Sequence, residues 1–166
     1  MLKNMKYTFE HLNNLELEVI MIEIKKAYSI IAYKKRELES LNALKIYNDE
    51  DFVGCILYRK YNDFLDLKIV LIIEKYQNQK YGKEMLDIFL KKEQIRPIFS
   101  SSRNDYMIAL FQKNNFKLIG LSNTNKYYRF SEVKKIFSIY RIKTFFKKRK
   151  LSKKNFQYYA KYDWFY

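Results

Sequence analysis

Thirteen consecutive residues near the middle of the chain combine ionisable side chains with a backbone suited to binding an anion. Glu74-Lys75-Tyr76-Gln77-Asn78-Gln79-Lys80-Tyr81-Gly82-Lys83-Glu84-Met85-Leu86 follow the most apolar run and lead into a stretch of helical periodicity. A strand, a turn and a helix N-terminus in that order cradle phosphate, because backbone N–H groups and the positive end of the helix dipole converge there. The turn is neither a G-x-x-x-x-G-K-[ST] loop nor a dinucleotide G-x-G-x-x-G, so on its residues alone a plain strand-to-helix connection is the alternative. Elsewhere reactive side chains are few. One cysteine, Cys55, and one histidine, His11, exclude a disulfide framework and a multi-cysteine zinc site. No metal site is expected, although carboxylate sites for Mg²⁺ stay open. Cys55 falls inside a strand pattern and reads as a core residue. His11 reads as a surface residue beside a strand-to-helix turn.

The turn needs a strand before it and a helix after it, and the flanking pattern supplies both. Leu65 to Ile73 contains the continuous run Ile69-Val70-Leu71-Ile72-Ile73, as in a strand covered on both faces. Period-two alternation puts Asp66, Lys68, Val70 and Ile72 on one face of it, with Lys68 as a charge partner for Asp66. Gly82 to Lys92 places Met85, Leu86, Phe89 and Leu90 on one side of a helix and lysines on the other. Upstream, Lys6 to Phe9 reads as a short strand, and Leu12 to about Leu41 as one or two helices. Ala43–Tyr47 and Phe52–Tyr58 flank the polar turn Asn48-Asp49-Glu50-Asp51 as a hairpin. Downstream come a strand at Pro97–Ser100, a helix at Asp105–Lys113 that Asn104 can cap, and final strands at Phe116–Gly120 and 126–130. Strands alternating with helices imply a layered α/β domain.

Several of these segments resemble the GNAT superfamily of acyl-CoA-dependent N-acetyltransferases. Gln77-Asn78-Gln79-Lys80-Tyr81-Gly82 is similar to that family's Q/R-x-x-G-x-G/A pyrophosphate loop, and Lys83-Glu84-Met85-Leu86 to the start of the helix that follows it. Asn104-Asp105-Tyr106-Met107-Ile108-Ala109-Leu110-Phe111-Gln112-Lys113-Asn114-Asn115-Phe116 resembles the family's N-x-x-A-x-x-(F/L)-Y-x-K-x-G-F segment. Phe52-Val53-Gly54 resembles its hydrophobic-Val-Gly strand. The segments keep the family's order and spacing from about Tyr7 to Phe130. Three positions depart from it: Lys80 stands at the first loop glycine, Phe111 at the tyrosine that protonates the departing thiolate, and Asn115 at a glycine.

The resemblance implies an α/β (α+β) fold with a mixed, mostly antiparallel central sheet and helices on both faces. It implies acetyl-CoA as co-substrate, its pyrophosphate held by Gln77, Asn78, Gln79, Lys80, Tyr81, Gly82 and Lys83. The pantetheine arm would pair with Val70, Leu71 and Ile72, while Asn104 and Phe111 would touch the cofactor. Asp66, sixteen residues before Gly82, occupies the general-base offset of the histone-acetyltransferase branch. Glu74 is the second candidate base. Tyr81 is a helix-start packing residue whose hydroxyl is also a candidate proton donor in place of the missing tyrosine.

Composition sets the frame. The chain has 166 residues, 48% of them hydrophobic, with three Gly and one Pro: enough for one folded domain and a short appendage. No apolar run reaches the ~20 residues that span a bilayer, and Met1–Glu10 has no apolar signal core, so a cytoplasmic protein without a transmembrane segment is expected. Net charge is +15, and residues 131–166 carry eleven basic against two acidic side chains, which points to an anionic partner. That segment includes the block Lys147-Lys148-Arg149-Lys150 and the aromatics Phe156, Tyr158, Tyr159, Tyr162, Trp164, Phe165 and Tyr166. Lysines mixed with rings suit RNA or DNA, an anionic membrane, or packing on the domain or on a second copy in a homodimer. The expected organisation is an acyltransferase domain at 1–130 and a basic, aromatic C-terminal extension at 131–166. The expected function is acetyl transfer to a primary amine on a protein or peptide, an aminoacyl-tRNA or a small molecule. The alternative is a catalytically weak protein of the same fold that binds nucleic acid through the extension.

Overall fold

Alternating apolar residues and a two-residue turn build the first sheet. A computed structural model describes residues 4–28, 33–93, 97–102, 104–120, 128 and 157–161. The chain divides into two compact units, Met1–Arg96 and Pro97–Tyr166.

In the first unit β1 (Met5–Phe9), β2 (Asn42–Asn48), β3 (Asp51–Lys60) and β4 (Leu65–Ile72) pair antiparallel in that order. The β2–β3 hairpin turns at Asp49, which takes a left-handed φ of 55° that Asp tolerates better than most residues. Helices α1 (Asn14–Tyr28) and α2 (Lys35–Glu39) cover one face of the sheet. Leu17, Ile20, Ile24 and Leu38 pack there on Ala43, Cys55 and Leu57. Cys55 is fully buried, as its strand position led one to expect, and burial pushes its thiol pKa far up. The opposite face takes α3 (Tyr81–Lys92), whose Met85, Leu86 and Phe89 are all buried. Phe89 meets Tyr58 edge-on at 4.9 Å between ring centroids.

Helix α1 starts on a reciprocal cap. The Asn13 side chain accepts from the Glu16 amide at 2.9 Å, and the Glu16 carboxylate accepts from the Asn13 amide at 2.8 Å. Glu16 is buried, and Lys45 Nζ of β2 lies 3.3 Å from it while the Tyr47 hydroxyl donates to it. Burial opposes the Lys45 charge, but Tyr47 and Glu16 outweigh it and hold the ammonium's pKa above its ordinary value.

The β3–β4 register shifts by one residue: Leu57 faces Ile69 and Tyr58 faces Leu67, leaving Lys68 as the extra residue of a β-bulge. A bulge resets the alternation, so Asp66 shares its face with Ile69 and Leu71 instead. The expected face breaks at the bulge: Asp66 and Lys68 stay together as an ion pair, while Val70 and Ile72 lie beyond the shift. In register Asp66 faces Arg59, two positions along β3 from Leu57, the partner of Ile69, and Ile69 and Leu71 pack against the α1 core.

The second unit holds β5 (Ile98–Ser102), α4 (Asp105–Lys113), β6 (Lys117–Ile119) and β7 (Gln157–Lys161). Strand β7 pairs antiparallel with both β5 and β6. These five residues of the C-terminal segment therefore belong to a sheet. Of the strand expected at 126–130, Tyr128 is helical, buried and stacked on Phe99 at 5.2 Å, and the other four residues lie outside the described residues. Asn115 has φ 61°, a left-handed backbone that suits an Asn in place of glycine. The basic block Lys147–Lys150 lies outside the described residues.

At Gly54 strands β3 and β4 run too close for a side chain. A Cβ there would lie 2.3 Å from the Leu71 carbonyl oxygen and 2.9 Å from Ile72 Cδ1. Backbone cannot yield as a side chain tip does, so Gly54→Ala should destabilise the chain by about 2 kcal/mol. A denaturant melt checks this, and an unshifted midpoint would contradict the contact.

Candidate functional site

Strand β4 changes character along its length. Leu65, Asp66 and Leu67 are buried, whereas Lys68 to Ile72 are half-buried, so Val70, Leu71 and Ile72 lie on the more open half. The ladder to β3 ends where the Ile73 amide donates to the Val53 carbonyl at 2.9 Å. A 3₁₀ turn, Glu74–Tyr76, follows, closed by Tyr76 N–H to Ile73 O at 2.9 Å and Gln77 N–H to Glu74 O at 3.2 Å. The Gln77 side chain donates back to the Ile72 carbonyl at 3.1 Å, which binds the turn to the strand end.

Two left-handed residues, Asn78 (φ 62°) and Lys80 (φ 67°, ψ 2°), then swing the backbone into α3. Asparagine adopts that region readily; lysine does so at a cost of about 1–2 kcal/mol. The Lys80 conformation is the one that glycine would adopt most easily, which explains in physical terms why a glycine stands there in the loop it resembles. Gln77, Asn78, Gln79 and Lys80 are exposed, Tyr81 and Gly82 are buried, and Lys83 is exposed and paired with Asp87 at 2.6 Å. No side-chain oxygen caps α3, in contrast to α1 and α4. The first amides of a helix have no intrahelical acceptors, so an anion is a natural partner at this end.

The expected site residues fall into distinct settings. Asp66 is 1% exposed and forms an ion pair with Lys68. Glu74 is exposed at the end of β4, 3.2 Å from Lys26 of α1. Tyr81 is buried and meets Tyr76 edge-on at 6.2 Å. Beside it, Tyr7 donates to Glu84 at 2.5 Å, and burial together with that carboxylate pushes the Tyr7 pKa far up. In the second unit, Asn104 caps α4 through its side-chain oxygen, which accepts from the amides of Tyr106 (2.9 Å) and Met107 (3.3 Å). Phe111 is buried between Phe116 at 4.9 Å and Tyr159 at 5.5 Å. His11 is exposed, its Nδ1 3.0 Å from the Leu41 carbonyl. Among the described residues no group of His, Cys, Asp and Glu could hold a metal ion, and no helix is long and apolar enough to cross a membrane.

No protein-family model and no curated protein matches the chain in sequence. Solved structures do match in shape. The N-acetylglutamate synthase of Neisseria gonorrhoeae, complexed with coenzyme A and N-acetyl-glutamate, aligns with 95% of this chain and 34% of its own, at TM-score 0.64 and 15% identity. The ribosomal-protein-S18-alanine N-acetyltransferase of Escherichia coli aligns with 97% of this chain and 99% of its own, at TM-score 0.60 and 10% identity. An acetyltransferase of the GNAT family from Staphylococcus aureus aligns with 94% and 98%, at TM-score 0.58 and 17% identity. The chain has the GNAT fold. It spans about a third of the length of the synthase.

Within this GNAT fold, three tethers around the turn were not read from the sequence. Asp51 holds the Lys75 ammonium at 2.9 Å and the Tyr76 hydroxyl at 2.6 Å, and these two partners lower its pKa. Glu23 accepts from the Glu74 amide at 3.3 Å, and Lys26 bridges Glu23 and Glu74. Only the Asn13–Glu16 cap had a local signal, an N-cap residue three positions before a glutamate. The tethers join residues 24 to 51 positions apart, and no local pattern marks them.

The Asp66–Lys68 pair makes a stability test. Its side chains are 2% and 6% exposed, so Asp66→Asn removes the carboxylate facing a buried ammonium and should cost about 3 kcal/mol. Asp66→Asn combined with Lys68→Met should recover most of that loss. Thermal melts of the three proteins check it; equal melting of the single and double variants would show that the pair is not the cause.

Proposed function

We propose that the chain is an acyl-CoA-dependent N-acyltransferase that moves an acetyl group onto a primary amine. The observation that carries this reading is the left-handed Lys80 backbone leading from β4 into a helix without a side-chain cap, inside a GNAT fold. The fit to acetyl-CoA is good in kind: an anion-accepting helix end lies beside the exposed cations Lys80 and Lys83. Gln77, Asn78, Gln79, Lys80, Tyr81, Gly82 and Lys83 would hold the pyrophosphate, and Val70, Leu71 and Ile72 the pantetheine arm. Asn104 and Phe111 are assigned to the cofactor by resemblance. When bound, acetyl-CoA supplies an acyl group activated as a thioester.

The chain's own task is to place the acceptor amine and take its proton. A primary amine is mostly protonated at pH 7 and has no lone pair in that form, so a base must take a proton before the neutral nitrogen attacks the acyl carbon and the carbon–sulfur bond breaks. Two carboxylates compete for the role. Asp66 is buried against Lys68, whereas Glu74 stands 73% exposed at the strand end. Exposure favours Glu74, which reaches an amine directly or through one water, and leaves Asp66 to act only through a relay. Phe111 has no proton to give the thiolate, so Tyr81 or solvent supplies it. The acceptor classes are a protein or peptide amine, an aminoacyl-tRNA or a small amine.

Calorimetry with acetyl-CoA and an amine screen test the reading. Wild-type protein should bind acetyl-CoA in the micromolar range, and Gly82→Val should weaken binding at least about tenfold, or 1.4 kcal/mol, by blocking close approach of the pyrophosphate. Glu74→Gln should bind normally yet lower turnover by about 10²-fold at pH 7. A folded wild type that does not bind acetyl-CoA removes the proposal.

A second reading rests on charge. The last 36 residues hold +9 of the +15, which favours nucleic acid as a partner of that segment. RNA affinity should then fall steeply with salt, and replacing Lys147, Lys148, Arg149 and Lys150 with Ser should flatten the log–log slope by about three units. Binding to anionic vesicles instead would assign the segment to a membrane surface. Identical slopes would leave it a packing element.

A further inference from the structure

The amide of Glu74 is the first one beyond the β3–β4 ladder, and the direction of the chain after it decides where the turn's backbone points. Strand β3 offers it nothing, because the last bond between the strands is Ile73 N–H to Val53 O. Its acceptor is Glu23 of α1, at 3.3 Å. The Glu23 side chain is only 11% exposed. A carboxylate withdrawn from water that far needs donors in place of its hydration. Two are present: the Glu74 amide, and Lys26 Nζ at 2.8 Å, one turn along the same helix. Lys26 also reaches the Glu74 carboxylate at 3.2 Å, so α1 grips Glu74 by backbone and side chain together.

The other tethers of the turn are weaker. Asp51 and Lys75 are about 60% exposed, and ion pairs in water contribute at most about 1 kcal/mol. Lys26 and Glu74 are likewise exposed. Glu23 combines burial with a bond to the turn's backbone.

We infer that Glu23 is a positioning residue for the anion-binding turn: by accepting the Glu74 amide it sets where β4 ends and how Asn78 to Gly82 present their N–H groups. This inference rests on the acyl-CoA reading of that turn. Glu23 touches neither ligand nor reacting atoms, and its effect passes through the backbone from Glu74 onward.

The test compares Glu23→Met, which keeps volume and helix preference but removes the acceptor, with Glu23→Gln, whose carboxamide oxygen can still accept the amide. Acetyl-CoA affinity by calorimetry and hydrogen exchange of the Glu74 amide are measured on both, with the full chain. Glu23→Met should weaken acetyl-CoA binding by about tenfold and expose the Glu74 amide to exchange. Glu23→Gln should keep the amide protected and bind within about threefold of wild type. A folded Glu23→Met protein with wild-type affinity overturns the inference, and so does equal weakening by both substitutions, which would make charge rather than the amide bond the cause. If Glu23→Met does not fold, Glu23→Gln decides: an unprotected Glu74 amide with full affinity overturns the inference, and a protected amide with full affinity supports it. Wild-type protein that fails to bind acetyl-CoA overturns the acyl-CoA reading and this inference with it, whereas normal wild-type binding with an unaffected Glu23→Met overturns this inference alone.

Discussion

Strands β3 and β4 approach each other at Gly54 more closely than a side chain would allow, and the place where β4 stops depends on that approach. With a Cβ at position 54 the Leu71 carbonyl would have to move, and the bond from Ile73 to Val53 that closes the ladder would move with it. Upstream, the bulge at Lys68 sets which side chains of β4 face α1. The strand is thus positioned at two points, and between them lie Val70, Leu71 and Ile72, the half-buried residues proposed to receive the pantetheine arm. Everything proposed for the turn, from the 3₁₀ segment at Glu74 to the left-handed Lys80, inherits its place from this ladder.

Around that strand the first unit withdraws several charges from water, and each has a partner that offsets the loss of hydration. Glu16 combines a helix cap with an ion pair to Lys45 and a hydroxyl from Tyr47. Asp66 pairs with Lys68, and Glu23 takes a backbone amide and an ammonium. A hydrophobic contact tolerates sliding, whereas a buried hydrogen bond fails over a fraction of an ångström. Polar groups of this kind fix α1 against β2 and the end of β4 in a way that the apolar core of Leu17, Ile20 and Ile24 by itself would not.

The left-handed residues show a related trade. Asp49, Asn78 and Asn115 occupy that region with side chains suited to it, and Lys80 occupies it without that advantage. A lysine kept at a position of strain places a cation beside the end of α3, where the proposed ligand carries negative charge. The charge offers a reason for the residue that backbone preference does not.

Local chemistry made much of the fold legible in the sequence. The hairpin around Asp49, helix α4 with its Asn104 cap, the amphipathic face of α3 and the strand-turn-helix at Glu74 to Leu86 all follow from patterns within about a dozen residues. The burial of Cys55 follows in the same way. Tertiary structure decided the rest. The bulge at Lys68 moved Asp66 to the face of Ile69 and Leu71, because register belongs to a pair of strands and not to one. Strand β7 paired with β6, a contact between residues about forty positions apart that no local pattern announces. Glu23, Lys26 and Asp51 met the turn after Glu74 for the same reason: a glutamate on a helix reads as a solvated charge until the strand end that buries it is in place.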